Sequence, residues 1–224
     1  QQPGNHFEGF AGMDDAEALN ATVAARRAAD NAPEWKVERD IADFRAMLER
    51  AHGWLQASRG AFEQVAVEAD VNVQVSDNVR IRGRLDRLER DSSGAVHIVD
   101  LKTGAYPPTV DATADNPQLA TYQLALAHGE FDGGKVVTAR DGANALSVGG
   151  AVLVYPNANK TTLSTREQAK KTADELDALA AALDGLPEET AGPTLLAVVG
   201  PQCDRCAVRA LCPVQPEGAT IHHV

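Results

Sequence analysis

Residues 79–104 read VRIRGRLDRLERDSSGAVHIVDLKTG. Two runs that alternate apolar and polar residues flank DSSG, the pattern of two strands joined by a tight turn. If Ser92, Ser93 and Gly94 form a three-residue loop, with Gly94 in the left-handed conformation such loops favour, the register of the pair follows. Asp86 then stands opposite Asp100, and Arg84 opposite Lys102. Directly opposed residues of an antiparallel pair point to one face with β-carbons roughly 5 Å apart, and like charges placed so repel. Something positive has to sit between the two carboxylates. Lys102 shares their face, but one ammonium coordinates two carboxylates poorly. A hard divalent cation does so better, because magnesium commonly takes one or two carboxylates and keeps open positions for a phosphate oxygen and a water. The competing reading is a surface salt bridge of Asp100 with Lys102 or Arg84, since an acid-x-lysine tripeptide is frequent by chance.

On the N-terminal side, VAVEADVNVQV (65–75) alternates valines and alanine against polar neighbours, and SDN (76–78) turns it into the hairpin, so a three-strand meander is predicted. Further upstream, DDAEALNATVAARRAADN offers Asp14 or Asp15 as an N-cap and predicts a helix from about residue 15 to 31. Trp35 to Ser58 places Val37, Ile41, Phe44, Leu48, Ala51 and Leu55 at three-four spacing, a second helix. Downstream, Pro107 and Pro108 mark a loop, and NPQLATYQLALAHG reads as a helix with Pro117 in its first turn. DGGKVVTARDGANALSVGG (132–150) reads as a mobile connection, AVLVYP from Ala151 as a strand, and REQAKKTADELDALAAALDG from Arg166 as a helix. The fold class is α/β: a central mixed sheet, the meander plus a further strand, flanked by helices. Three segments follow, namely an N-terminal helical part (1–60), a core (61–200) and a cysteine-containing tail (201–224).

With 224 residues, 44 % of them hydrophobic, the chain can bury a substantial core. Its net charge of -11 argues against holding nucleic acid by bulk electrostatics. Any nucleic-acid role has to lean on metal ions, local patches or a partner chain. No apolar run approaches the about 18 residues of a membrane span, and no signal-peptide pattern is present, so a soluble cytoplasmic protein without membrane contact is expected. The first residue is Gln1 rather than Met, which leads us to expect a fragment or processed piece. The three cysteines, Cys203, Cys206 and Cys212, crowd together as C-x2-C-x5-C, which favours a metal-type use over a disulfide framework. Closed zinc sites need four ligands, so three thiolates alone are incomplete.

GRLDRLE, IVDLKTG and QLATYQLAL, in that order, resemble the three motifs of the RecB-type branch of the PD-(D/E)xK nucleases. The likeness is closest to the nuclease domains that end bacterial RecB/AdnB-like helicase-nucleases, and it runs from about residue 60 to 125. It implies a restriction-endonuclease-like core and a Mg2+ (or Mn2+) ion held by Asp86, Asp100 and the backbone carbonyl of Leu101. It implies that Lys102 orients or activates the attacking water, and that Gln118 and Tyr122, four apart on one helix face, touch DNA or hold the lysine. Glu68 is a further acidic candidate. The cysteine spacing resembles that of three ligands of a 4Fe-4S cluster whose fourth cysteine lies upstream in these relatives; no upstream cysteine exists here. The family's metal-binding histidine has only His6 and His52 as upstream candidates. The partners implied are DNA, a helicase motor in the same parent chain and a partner helicase-nuclease subunit. Rival readings are a catalytically silent scaffold stapled by the cluster, and a stand-alone nuclease of CRISPR adaptation.

Overall fold

The computed structural model describes residues 15–28, 33–190 and 197–219; Asp14, His6 and residues 29–31 lie outside them. The predicted meander is present as β1 (Phe62–Gln74), β2 (Arg80–Asp91) and β3 (Val96–Leu101), antiparallel throughout. The register is the expected one, with Arg87 opposite Val99 and Leu88 opposite Ile98. The three-residue loop closes through Asp91 N–H to Ala95 C=O (3.0 Å), and Gly94 takes φ +88°. Asp91 organises that loop. One of its oxygens accepts from the Ser93 and Ala95 amides, and the other lies 2.8 Å from His97 Nε2. The Ser93 hydroxyl, with His97 next, holds the Asp91 carboxyl far below the usual carboxylate range.

Two expectations are corrected further along. Residues 132–150 are largely regular: β4 (Gly129–Asp132) and β5 (Lys135–Thr138) form a hairpin, followed by a short 3-10 turn and the start of β6 (Val148–Ala158). Gly133 and Gly134, both at positive φ, make the two-residue turn that suits the right-handed twist of a hairpin. The helix predicted from Arg166 begins later. Thr162–Ala169 is β7, antiparallel to β6, and the helix, α5, spans Ala173–Thr190. Arg166 to Ala169 are good helix formers, but pairing with β6 and burial of Gln168 override that preference.

The described strands make one seven-stranded mixed sheet in the order β4-β5-β1-β2-β3-β6-β7, with β3 parallel to β6 and β1 parallel to β5. Leu85 and Leu88 point to opposite faces of β2 and both are buried, so the centre of the sheet is covered on each side. The helices are α1 (Asp15–Ala28), α2 (Glu34–Ser58), the single-turn α3 (Val110–Ala114), α4 (Pro117–Ala127) and α5. α2 lies against β6 and β7, tied by Arg50 Nε to the Pro156 carbonyl at 2.6 Å, while α4 lies against β3 and β6. Val23, Val37 and Ile41 bury the seam between α1 and α2. The chain divides into two compact units, residues 1–180 and 181–224; the sheet belongs to the first and the cysteines to the second. No helix among the described residues is long and apolar enough to cross a membrane.

Candidate active site

β3 pairs with β2 only as far as Val99, then stays on its parallel partner: Asp100 and Leu101 pair with Leu153 and Val154, and Lys102 N–H donates to the Val154 carbonyl at 2.8 Å. Where the two strands part, a side chain takes over the ladder. Asp86 Oδ2 accepts the Leu101 amide at 2.8 Å, which fixes that carboxylate beside Asp100. Asp100 is buried, and Lys102 Nζ approaches its Oδ2 to 2.8 Å. The contact is an ion pair, and beyond it the buried Asp100 Oδ2 has no hydrogen-bond partner among the described residues.

α4 brings in the other two residues. Asn116 caps it by accepting from Leu119 N–H, Pro117 starts it, and Leu119, Leu124 and Leu126 bury one side completely. Gln118 and Tyr122 lie one turn apart on one stripe of the helix, which the buried Leu126 continues a turn further on. Gln118 Oε1 lies 3.4 Å from Lys102 Nζ, Gln118 Nε2 donates to Tyr122 Oη at 3.1 Å, and Tyr122 Oη donates to the Arg84 carbonyl at 3.3 Å. A continuous polar chain therefore runs from Asp100 through Lys102, Gln118 and Tyr122 back to β2, two residues before Asp86.

The PD-(D/E)XK nuclease superfamily model matches residues 8–213. The chain belongs to that superfamily. The seven-stranded mixed sheet with flanking helices is the α/β fold expected of such a nuclease. No curated protein matches the chain. Among solved structures, the crystal structure of SSO0001 aligns with 94 % of this chain and 81 % of its own, at 16 % identity and a TM-score of 0.36.

In this PD-(D/E)XK chain the electrostatics of the site are uneven. Burial pushes the Asp100 carboxyl above its ordinary value; the Lys102 contact opposes that and the neighbouring Asp86 charge adds to it. Burial alone would lower the Lys102 ammonium, but the contact with Asp100 and the negative charge of both carboxylates outweigh it, and its pKa is raised. A divalent cation fits this donor set. Two carboxylates on one face, one of them ending in a buried oxygen with no hydrogen-bond partner beyond the Lys102 ion pair, are what a hard ion with retained waters uses.

Other sequence candidates stand elsewhere. Glu68 is level with Asp86 in the β1–β2 register, between the pairs Val67–Arg87 and Ala69–Leu85. Its φ of +48° breaks the pleat, and its carboxylate pairs with Arg84 at 3.6 Å. His52 lies half-buried on α2. Among the described residues no three His, Cys, Asp or Glu side chains gather in a way that would hold a metal ion. This applies to the tail as well. Cys203, Cys206 and Cys212 are free thiols on short 3-10 turns, so the residues present do not fit a 4Fe-4S cluster by themselves. Sequence reasoning missed the Arg84 carbonyl as an anchor, because a main-chain acceptor leaves no mark in the sequence.

Proposed function

We propose that this chain is a Mg2+- or Mn2+-dependent deoxyribonuclease that hydrolyses phosphodiester bonds by in-line attack of water. The observation that supports the reading is the Asp86–Asp100 pair, with the buried Oδ2 of Asp100 in ion-pair contact with Lys102. Asp86, Asp100 and the Leu101 carbonyl would hold the ion, which supplies Lewis-acid stabilisation of the phosphate and lowers the pKa of a water. Lys102, kept protonated by the two carboxylates, orients that water and meets the charge that builds on the phosphate oxygens. Gln118 and Tyr122 hold the lysine in line. The test is cleavage of end-labelled linear DNA with magnesium and with EDTA. Metal-dependent cutting that disappears in Asp100→Ala is expected, and equal cutting by the variant would sink the assignment.

Within the superfamily, a RecB-type and AdnB-like placement is supported by the order GRLDRLE, IVDLKTG, QLATYQLAL and by the contact of Gln118 with Lys102. On that reading the domain works in double-strand-break processing in the cytoplasm, on strands delivered by a helicase motor of the same parent chain with a partner helicase-nuclease subunit. Recovery of this segment from its native source within a much longer polypeptide is the expected result; a short free protein points instead to a stand-alone nuclease. The tail cysteines serve a 4Fe-4S cluster only if a further ligand comes from outside these three. An absorption band in the blue and about four irons per chain are expected for a cluster-bearing protein, and iron-free colourless protein rules the staple out.

A further inference from the structure

The chain as a whole is acidic, yet one strand face is not. On β2, Arg80, Arg82 and Arg84 alternate with Ile81, Gly83 and Leu85, so the three arginines share one face, and all three are exposed. The next residue on that face is Asp86. Arg80 is held by neutral groups, its Nε on Gln74 Oε1 at 2.6 Å and its Nη1 on Asn72 Oδ1 at 3.3 Å, so it is aimed without being neutralised. The Arg82 guanidinium makes no hydrogen bond or ion pair with any described residue. Arg84 is partly balanced by the exposed Asp70 at 3.4 Å and the half-buried Glu68 at 3.6 Å, and water at the exposed guanidinium weakens both pairs.

We propose that Arg80, Arg82 and Arg84 form a phosphate track that leads one strand of DNA along β2 to the Asp86–Asp100 pair. The proposal rests on the nuclease reading above and adds the surface that grips the substrate. Side chains two apart on a strand are about 6.6–6.8 Å apart, a step that lets each arginine take a successive phosphate of an extended backbone. Guanidinium groups suit phosphate because their forked donors bind it in bidentate fashion. A single strand fits better than a duplex, because one β-strand presents one row of guanidinium groups and so follows one phosphate backbone. A local basic row also resolves how a chain of charge -11 holds a polyanion.

The experiment is fluorescence anisotropy with labelled oligo-dT of about 20 nucleotides, titrated in EDTA over a series of salt concentrations. Arg82→Gln, which breaks no polar contact, and Arg80→Gln/Arg82→Gln are compared with wild type and with Arg39→Gln, an exposed arginine on α2. Each lost phosphate contact should flatten the plot of log K against log salt by ~0.7, so a change of ~0.7 is expected for the single variant and ~1.4 for the double. Affinity at low salt should fall about tenfold or more in the double variant, with Arg39→Gln unchanged. An unaltered slope in the double variant, no binding by wild type at low salt, or an equal loss in Arg39→Gln overturns the track. A larger slope change on duplex than on single strand overturns the single-strand assignment. The same oligonucleotide incubated with magnesium separates the two claims. Binding through the arginines without cutting defeats the nuclease reading and leaves the track standing; cutting with an unaltered slope defeats the track alone.

Discussion

Lys102 sits between two demands. Asp100 and Asp86 keep it protonated, and Gln118 Oε1 fixes its reach from the other side. A residue so held adds electrostatic stabilisation without having to reorganise when charge develops on the phosphate. Lys102→Met should therefore lower kcat by ~10²–10³, the usual loss on removing one preorganised donor. Manganese should still bind, because neither carboxylate is touched; a calorimetric titration checks this. Loss of manganese binding together with activity would make Lys102 a structural partner of Asp100 only. Tyr122 acts at one remove. It does not reach the lysine, but it fixes Gln118 and is itself anchored on the Arg84 carbonyl.

At the scale of elements, the placement of α4 decides whether that chain exists. Two fully buried amides set it. Gln168 on β7 donates Nε2 toward the carbonyls of Thr113, Ala114 and Asn116, the corner between α3 and α4. Gln123 on α4 donates to Gln168 Oε1 at 2.9 Å and to the Ala169 carbonyl, and accepts from Lys171 N–H. Gln168→Leu removes the side-chain donor at the Ala114 carbonyl and one of the two acceptors of Gln123 Nε2, while Thr113 and Asn116 keep backbone donors, so a loss of ~1–3 kcal/mol is expected in urea unfolding, the cost of an orphaned buried group. A loss below about 0.5 kcal/mol would mean that water replaces the amide. α5 is started by a reciprocal capping box, in which Thr172 Oγ1 accepts Glu175 N–H and Glu175 Oε2 accepts Thr172 N–H. Those bonds, the Thr172 amide first and then Lys171, pull the Glu175 carboxyl from 4.5 down to about 2. A depressed carboxylate stabilises the fold above its unfolded pKa, and that contribution disappears as pH falls through the folded one. Glu175→Gln should thus be less stable than wild type at neutral pH, with the difference closing between about pH 4.5 and about 2. A difference that stays constant with pH would show that the charge plays no part.

For the molecule as a whole, the site works against the fold when no cation is bound. Asp100 has its pKa raised by burial, so its ionised form destabilises the native state above that pKa, and the penalty disappears as pH falls below the unfolded value. Asp100→Asn should raise the metal-free Tm by ~2–4 °C, the shift about 1 kcal/mol produces in a domain of this size. Manganese at a hundred times its Kd should stabilise wild type by ~2.7 kcal/mol and the variant hardly at all. Equal manganese shifts in the two proteins would place the ion elsewhere. The overall charge of -11 sharpens the need for local positive charge, since the long-range field repels nucleic acid and the proposed β2 arginine row and a bound cation would oppose it at the site.

By itself the sequence determined the hairpin and its register as far as Arg87 and Val99, one step short of Asp86 and Asp100. The DSSG loop and the period-two alternation around it are local, and a register once set by a turn propagates along both strands. It also determined α2 and α4, whose apolar spacing and caps lie within a few residues of each other. The Gly133–Gly134 hairpin is not read from the sequence, where residues 132–150 appear as a connection. Only the tertiary structure decided the rest. β7 is a strand because β6 pairs with it, against the helix preference of its own residues. Glu68 leaves the acidic row through one positive φ. Asp100 is taken out of water because the sheet buries it, and the amides of Gln123 and Gln168 meet across 45 residues of chain. Burial and long-range pairing depend on which distant segments fold together, and no spacing within one segment encodes that.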